Sequence, residues 1–513
     1  MLLEKIKTTA KAYPQKLALV NKNYADSNVT YAELDEQSTN LAYFINHEMI
    51  REGETPKTPI IVYGHKNPYM IVTFLACVKA GYPYCPVDIS MPAERITDII
   101  NDVQPKLVFA LQAPCFETAD ANIICLDEIK ALCKQQVSTD STLNPVANDD
   151  LFYILFTSGS TGRPKGVKIT YSCLNNFLTW TSSIAGRYCS SDPVFLNQAP
   201  FSFDLSVMDL YTSLYTGGTL YILDKDLQIN FPMLIDALSK SEATVWVSTP
   251  SFAEMCLSDK KFAQALLPKL KAFLFCGEIL TNSTALKLID RFPQAEIINT
   301  YGPTESTVAV TEQKITKELA DKDEPLPIGK AKNGTFIEIW DETGKPCAID
   351  QTGEIVIIGD TVAAGYFNNN EATLKAFLTV NKNGIQHKAY KSGDRGFCDR
   401  SGILHYVGRK DNQIKLNGYR IETGDIEKNI LKLEMVTNAA VVPKYKDAKV
   451  RYLAAFVTLN ANKGEERENI SLLKNRLREI LPDYMIPKKW HILDTLPMNA
   501  NGKIDKKKLE GMI

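Results

Sequence analysis

The chain has 513 residues, too many for one hydrophobic core, so two or three domains are expected. Its 58 Lys/Arg and 60 Asp/Glu give a formal charge of −2, which offers no basic field for nucleic acid. The 11 cysteines form no Cys-x-x-Cys pair and the 5 histidines stand outside any ligand spacing, which argues against zinc and fits free thiols in a reducing compartment.

The start, Met1-Leu2-Leu3-Glu4-Lys5, puts charges where a signal peptide carries its apolar core, and no run reaches the roughly 18 apolar residues of a membrane span. The chain therefore reads as a cytoplasmic protein with no stable membrane insertion, and a monomer is expected separately. Pro59-Ile60-Ile61-Val62-Tyr63 is a strand, followed by a helical pattern over 70–80. Leu151-Phe152-Tyr153-Ile154-Leu155-Phe156 is a buried strand that runs into Thr157-Ser158-Gly159-Ser160-Thr161-Gly162-Arg163-Pro164-Lys165-Gly166. A loop of Gly, Ser and Thr with one Lys after a strand can wrap N–H groups and hydroxyls around phosphate. It is not a Walker A loop, because Gly166 follows Lys165 where a magnesium-binding hydroxyl is required. A helix is expected over 205–214, a strand at 243–247 with a helix at 252–257, and a strand at 295–298 that ends in Asn299-Thr300-Tyr301-Gly302-Pro303-Thr304-Glu305. This alternation predicts an α/β fold with substantial parallel sheet and ligand loops at strand ends.

After Gly408-Arg409-Lys410-Asp411 the charge balance changes. Residues 412–513 carry 19 Lys/Arg against 13 Asp/Glu, a surplus of +6 that leaves −8 for residues 1–411. Strands at 438–443 and 452–459 and an amphipathic helix at 470–481 make this segment a small α+β domain. Lys444, Lys446, Lys449 and Arg451 are expected in a loop between the two strands, where they could face an acidic partner.

The ordered set of the 157–166 loop, the 299–305 motif, Tyr390-Lys391-Ser392-Gly393-Asp394, Tyr406-Val407-Gly408-Arg409-Lys410-Asp411 and Asn499-Ala500-Asn501-Gly502-Lys503 resembles the adenylate-forming enzymes along essentially the whole chain. These include acyl-CoA synthetases, luciferases and the adenylation domains of peptide synthetases. The resemblance implies a large N-terminal domain (1–409), a hinge at Lys410 and Asp411, and a small mobile C-terminal domain (412–513) that carries a catalytic lysine, Lys503. It implies ATP and Mg²⁺, with Thr157, Ser158 and Lys165 on the departing phosphates and Asn299, Thr300, Gly302 and Pro303 around the nucleotide. In the same way it implies Tyr301 on adenine, Thr304 on the α-phosphate, Glu305 on the metal, Asp394 and Arg409 on the ribose, and Tyr406, Val407 and Gly408 beside them.

Phe201-Ser202-Phe203-Asp204-Leu205-Ser206 resembles the Phe-Asp-x-Ser element of amino-acid-activating members, in which the Asp takes the substrate ammonium. Asp204 also suits the N-cap of the helix that follows. Phe275-Cys276-Gly277-Glu278 departs from the Gly-Gly-Glu of peptide-synthetase domains. The extra Cβ and sulfur favour a small residue such as alanine or glycine, although a buried Cys is most often a small hydrophobe without a role. With Val308-Ala309-Val310 and the run 197–209, these residues are similar to the Gram-positive members that load D-alanine onto a carrier protein for teichoic acids. That likeness implies D-alanine, contacted by Asp204, Cys276, Val308 and Lys503, and a phosphopantetheinylated D-alanyl carrier protein as partners. A peptide-synthetase-type enzyme for another small amino acid and an acyl-CoA or aryl-CoA ligase stay open, the latter disfavoured by Asp204.

Overall fold

The structure is a computed structural model that describes residues 1–22, 28–51, 58–118, 120–135, 142–159, 163–188, 192–447, 449–460, 465–499 and 504–513. Two large sheets build the N-terminal part. The first has six strands; its parallel members include Ile60–Gly64, Tyr84–Asp88 and Leu107–Ala110, and Leu151–Thr157 pairs antiparallel with Lys165–Thr170. The second has nine strands, and the parallel run Val194–Asn197, Val245–Ser248, Ala272–Phe275 and Glu296–Tyr301 lies within it. Strands and helices alternate where the sequence patterns predict, as in Ile60–Gly64 followed by Pro68–Lys79 and Val245–Ser248 followed by Pro250–Leu257.

One continuous core joins the sheets. It includes Phe109 and Phe152 of the first, Phe195 and Val247 of the second, and Phe74 and Tyr211 from helices between them. The Tyr84 and Tyr211 hydroxyls meet at 2.6 Å inside it. Helix Leu205–Tyr215 is buried over ten consecutive residues, so both sheets grip the element that begins beside Asp204. A third, five-stranded antiparallel sheet runs from Thr335–Trp340 to Leu404–Arg409.

The C-terminal part has its own core around Ile421, Ile426, Val441, Phe456 and Leu473. Its three-stranded sheet comprises Val436–Lys446, Lys449–Leu459 and Lys489–Ile492, with helices Thr423–Leu431 and Glu466–Arg478. A large N-terminal and a small C-terminal α/β domain are therefore both present.

Lys444 and Lys446 close one strand, Lys449 and Arg451 open the next, and the two strands pair up to Lys446 and Lys449. The four basic residues thus lie on a tight hairpin and not in an open loop, which corrects the expectation from sequence. Two-residue periodicity is weak at such a tip, and its charges resemble a loop.

Ahead of this sheet stands a separate two-stranded hairpin, Gln413–Leu416 with Tyr419–Glu422. Its turn residues Asn417 and Gly418 have φ of 52° and 83°. An Asn-Gly pair with both φ values positive is the two-residue turn that matches strand twist. Among the described residues, no helix is long and apolar enough to cross a membrane.

Candidate active site

The parallel strands of the nine-stranded sheet end along one edge, and the residue or loop after each strand lines a single cleft. Val194–Asn197 leads to Gln198, Ala199, Pro200, Phe203 and Asp204; Val245–Ser248 leads to Thr249; Ala272–Phe275 leads to Cys276 and Gly277; Glu296–Tyr301 leads to Gly302, Pro303 and Thr304. A crevice beyond the carboxyl ends of parallel strands is where open α/β sheets bind ligands. Asp394 and Arg409 close the cleft from the third sheet, and the Asn417–Gly418 hairpin closes it from the C-terminal domain.

Asp204, Cys276 and Val308 come together in this cleft. Asp204 occupies the N-cap position of helix Leu205–Tyr215 but makes no side-chain cap bond. It accepts a hydrogen bond from Thr304 Oγ1 at 2.6 Å instead, so the alternative capping role is not taken up and the residue lines the pocket. Burial pushes this carboxyl above its ordinary range, opposed by Thr304 and Lys415.

The Cys276 thiol is buried and lies 3.7 Å from the Val308 carbonyl. Burial pushes this thiol up, so it is no activated nucleophile. Val308 has φ of 69° after Thr307 at 59°, and the Ala309 N–H closes back on Thr307 O at 2.9 Å. This is the strained form of the γ-turn, in a conformation that β-branched residues rarely adopt. Such strain persists where the surroundings over-determine it, and it clusters at ligand sites.

On the other flank, Tyr301 donates its hydroxyl to Asp394 Oδ2 at 2.6 Å, and Arg409 reaches Asp394 Oδ1 at 2.7 Å. The same guanidinium forks onto Asp411 at 2.6 and 2.8 Å. Burial works against the charge on Arg409, but Asp411 and Asp394 more than offset it and raise its pKa. Tyr301, Asp394, Arg409 and Asp411 thus form one chain of short contacts. Asn299 and Thr300 are spent on the backbone, bonding Pro327 O and Phe275 O at 2.9 Å each. The Tyr406 ring lies 6.4 Å from that of Tyr301, Val407 is 54% exposed, and Lys410 Nζ stands 4.0 Å from Glu354.

At the phosphate-type loop, Thr157 bonds Lys165 O at 3.4 Å and the Lys165 ammonium lies 5.7 Å from the centre of the Tyr366 ring. Burial lowers the Lys165 pKa. Ser158 Oγ donates to Arg420 O at 2.6 Å. Arg420 in turn grips both oxygens of Glu305 at 2.9 and 2.7 Å, and Tyr366 donates to the same carboxylate at 2.8 Å. Burial alone would raise Glu305; Arg420 and Tyr366 outweigh it and hold the carboxyl below its ordinary value.

Residues 160–162 and Lys503 lie outside the described residues. Of the neighbours of Lys503, Ile504 packs with Val442 and Phe456 of the small domain. The C-terminal residues that line the cleft are Gln413, Lys415, Asn417, Gly418, Tyr419 and Arg420.

No motif in the sequence assigns Arg420 or Lys415 a function. They are cross-strand neighbours on one face of the hairpin, while Ile414, Leu416 and Ile421 pack into the small-domain core. The alternation and the Asn-Gly turn were legible signals for that presentation. Gly418 approaches so closely that a Cβ would stand 2.3 Å from Thr249 Cγ2.

Residues 6–367 match the family profile of the AMP-binding enzymes, and residues 425–503 match the AMP-binding enzyme C-terminal domain. D-alanine--D-alanyl carrier protein ligases from Bacillus cereus (strain B4264) and Bacillus thuringiensis (strain Al Hakam) are 44% identical over 510 residues, covering 99% of this chain and 98% of each relative. The fold is similar to that of the Vibrio cholerae adenylation domain AlmE in complex with glycyl-adenosine-5'-phosphate, with TM-score 0.79, 22% identity and coverage of 100% of this chain and 97% of that one. It is also similar to holo-PA1221, a protein containing adenylation and PCP domains, with TM-score 0.80, 24% identity and coverage of 99% and 83%. The chain belongs to the AMP-binding, adenylate-forming enzymes, in one family with the D-alanine--D-alanyl carrier protein ligases.

Proposed function

We propose that this enzyme uses ATP to activate D-alanine as D-alanyl-AMP and passes the alanyl group to the phosphopantetheine thiol of a carrier protein, in the cytoplasm, for teichoic acid D-alanylation. The identity to D-alanine--D-alanyl carrier protein ligases along nearly the whole chain carries this reading. The uncapped Asp204 beside Cys276 and Val308 supports a small substrate with an ammonium group over a plain acyl or aryl acid.

In the first step the alanine carboxylate attacks the α-phosphorus of ATP and pyrophosphate leaves. The nucleophile is already an anion, so positioning and charge neutralisation do most of the work. Asp204 holds the ammonium, Cys276 and Val308 bound the methyl group, and Lys503 bridges the carboxylate and α-phosphate. Tyr301 takes the adenine, Asp394 and Arg409 the ribose, and Thr157, Ser158, Thr304 and Lys165 the phosphates. Magnesium, when bound, neutralises phosphate charge, and Glu305 is the carboxylate that would hold it, as one carboxylate with substrate phosphates commonly does. Arg420 spans both Glu305 oxygens when the hairpin is seated in the cleft, so guanidinium and metal would take turns there. In the second step the small domain turns about Lys410 and Asp411. The carrier thiol then attacks the anhydride carbonyl, the C–O bond to AMP breaks, and a thioester forms.

The test is ATP–pyrophosphate exchange with D- and L-amino acids, acetate and benzoate. D-alanine is expected to give the highest kcat/KM, and a higher value with an acid lacking an ammonium overturns the assignment. Lys503→Ala should lose exchange by the equivalent of about 3–4 kcal/mol while still binding ATP. Thiol transfer from pre-formed D-alanyl-AMP should survive in the same variant.

A further inference from the structure

Lys66 is fully buried in the loop after Ile60–Gly64, with φ of 47°. Its ammonium donates to Asn197 O at 3.1 Å, Gln198 O at 2.6 Å and Leu223 O at 2.7 Å. Three acceptors call for three N–H groups, which only the protonated amine has. Asn197 ends one strand of the nine-stranded sheet, Leu223 follows its neighbour Thr219–Ile222, and Gln198 begins the cleft wall that continues to Asp204. Farther along the same segment, Asn197 Nδ2 donates to Asp209 Oδ1 at 2.9 Å and to Ala199 O at 3.4 Å. The chain from 197 to 209 is therefore tied at both ends, with Asp204 between.

None of the three carbonyls depends on Lys66 alone. Leu223 N–H also reaches Asn197 O at 3.0 Å, and Gln228 Nε2 reaches Gln198 O and Leu223 O at 3.0 and 2.9 Å. A buried ammonium is a costly way to join groups that already have donors. What it adds is a charge-assisted, three-way fixed point at the root of the substrate loop.

We propose that Lys66 is a positioning residue for amino-acid binding, its ammonium clamping Asn197, Gln198 and Leu223 so that the loop holds Asp204 against the substrate ammonium. This rests on Asp204 being the ammonium receptor proposed above. Burial lowers Lys66 from 10.5 to about 7, opposed by Asp209 from the helix after the loop, Asp88 from the adjacent strand, and Asp224. His65 on the same loop bonds Asp88 at 2.7 Å, and its Nε2 accepts the Lys225 N–H at 3.1 Å. Above about pH 7 the amine keeps two N–H groups for three carbonyls and the clamp loosens. Stability moves the other way. The unfolded chain holds this proton up to its ordinary value, so between about 7 and 10.5 rising pH favours the fold at this group.

The experiment measures pyrophosphate exchange and melting temperature for the full chain and Lys66→Met from roughly pH 6 to 8.5. In the wild type, KM for D-alanine should rise with pH while KM for ATP does not follow. Lys66→Met should raise KM for D-alanine about tenfold at pH 6.5, leave KM for ATP within about twofold, and flatten the pH profile. Over the same range the wild type should gain stability relative to Lys66→Met. If Lys66→Met does not fold, Lys66→Gln, which retains two N–H donors, should show the raised and flattened KM. A pH-independent wild-type KM for D-alanine, or a variant altered in melting temperature only, overturns the proposal. Absence of D-alanine-dependent exchange in the wild type would refute the assigned substrate instead, and the same profile would then be run with the amino acid that is activated.

Discussion

Cys276, proposed above to bound the substrate methyl group, is 3% exposed, with its sulfur against the carbonyl of the strained Val308 turn. Cys276→Gly should enlarge the pocket, admit larger side chains and narrow the preference for D- over L-alanine. One methyl-sized change in a pocket is worth about 1–3 kcal/mol, so the enantiomer ratio of kcat/KM should fall by roughly ten- to a hundredfold. An unchanged ratio would make Cys276 packing only. The resemblance draws Asp204, Cys276 and Val308 from separate motifs, and the fold brings all three into one cleft. Lys66 is not legible. A lysine in a turn is by default a surface residue, and its three acceptors lie more than 130 residues downstream. The Asp204 cap is the reverse case, where local sequence favours a bond that the Thr304 hydroxyl takes over.

The hairpin Gln413–Leu416 and Tyr419–Glu422 shows how far pattern alone reaches at the scale of an element. The Asn417-Gly418 turn and the apolar Ile414, Leu416 and Ile421 are enough for a two-stranded unit with one buried face. That the polar face enters a cleft built from another domain depends on tertiary packing: on that face Arg420 reaches Glu305, while Tyr419, on the apolar face and stacked on Tyr484 of its own domain at 3.8 Å, meets Phe203 edge-on at 4.9 Å. With Arg420 on Glu305 and Ser158, the seated hairpin fills the place proposed for phosphates and metal, so it should belong to thiol transfer and not to adenylation. Gly418→Ala tests this. The new Cβ would meet Thr249 Cγ2 at 2.3 Å, and alanine at φ of 83° adds backbone strain of order 1 kcal/mol. D-alanine-dependent exchange should stay within about threefold and carrier loading should fall at least about tenfold. Equal losses in both half-reactions would mean that the hairpin serves both.

At the scale of the whole molecule, the opposite charges of the two domains meet each other. Lys449, 4% exposed, lies 3.2 Å from Glu254 and 3.4 Å from Glu278, and Arg451 lies 3.4 Å from Glu254. Ser251 and Thr284 orient these carboxylates with bonds of 2.5 and 2.9 Å. Elsewhere Arg95 is buried against Asp425, and Lys432 stands 3.4 Å from Glu94. The surplus of +6 read from the sequence is real, but its distribution depends on the docked arrangement. Lys444 bonds the C-terminal Ile513, and of the four basic residues assigned to an acidic partner the hairpin places two against the large domain. Composition reports charge and not its address. Lys449→Met should therefore weaken domain seating more than carrier encounter. Removing one member of a buried pair costs about 3–5 kcal/mol, and the burden falls on the docked arrangement because both carboxylates belong to the large domain. The variant should retain pyrophosphate exchange and lose maximal carrier-loading rate, with KM for the carrier little changed. Glu278→Gln, which keeps an acceptor for Ser251, should move the same rate in the same direction by less. Added salt should not mimic either change, since a buried cluster is poorly screened while the exposed Lys432–Glu94 pair is. A variant whose only defect is a raised carrier KM that salt reproduces in the wild type would return Lys449 to the partner-facing role that the sequence predicts.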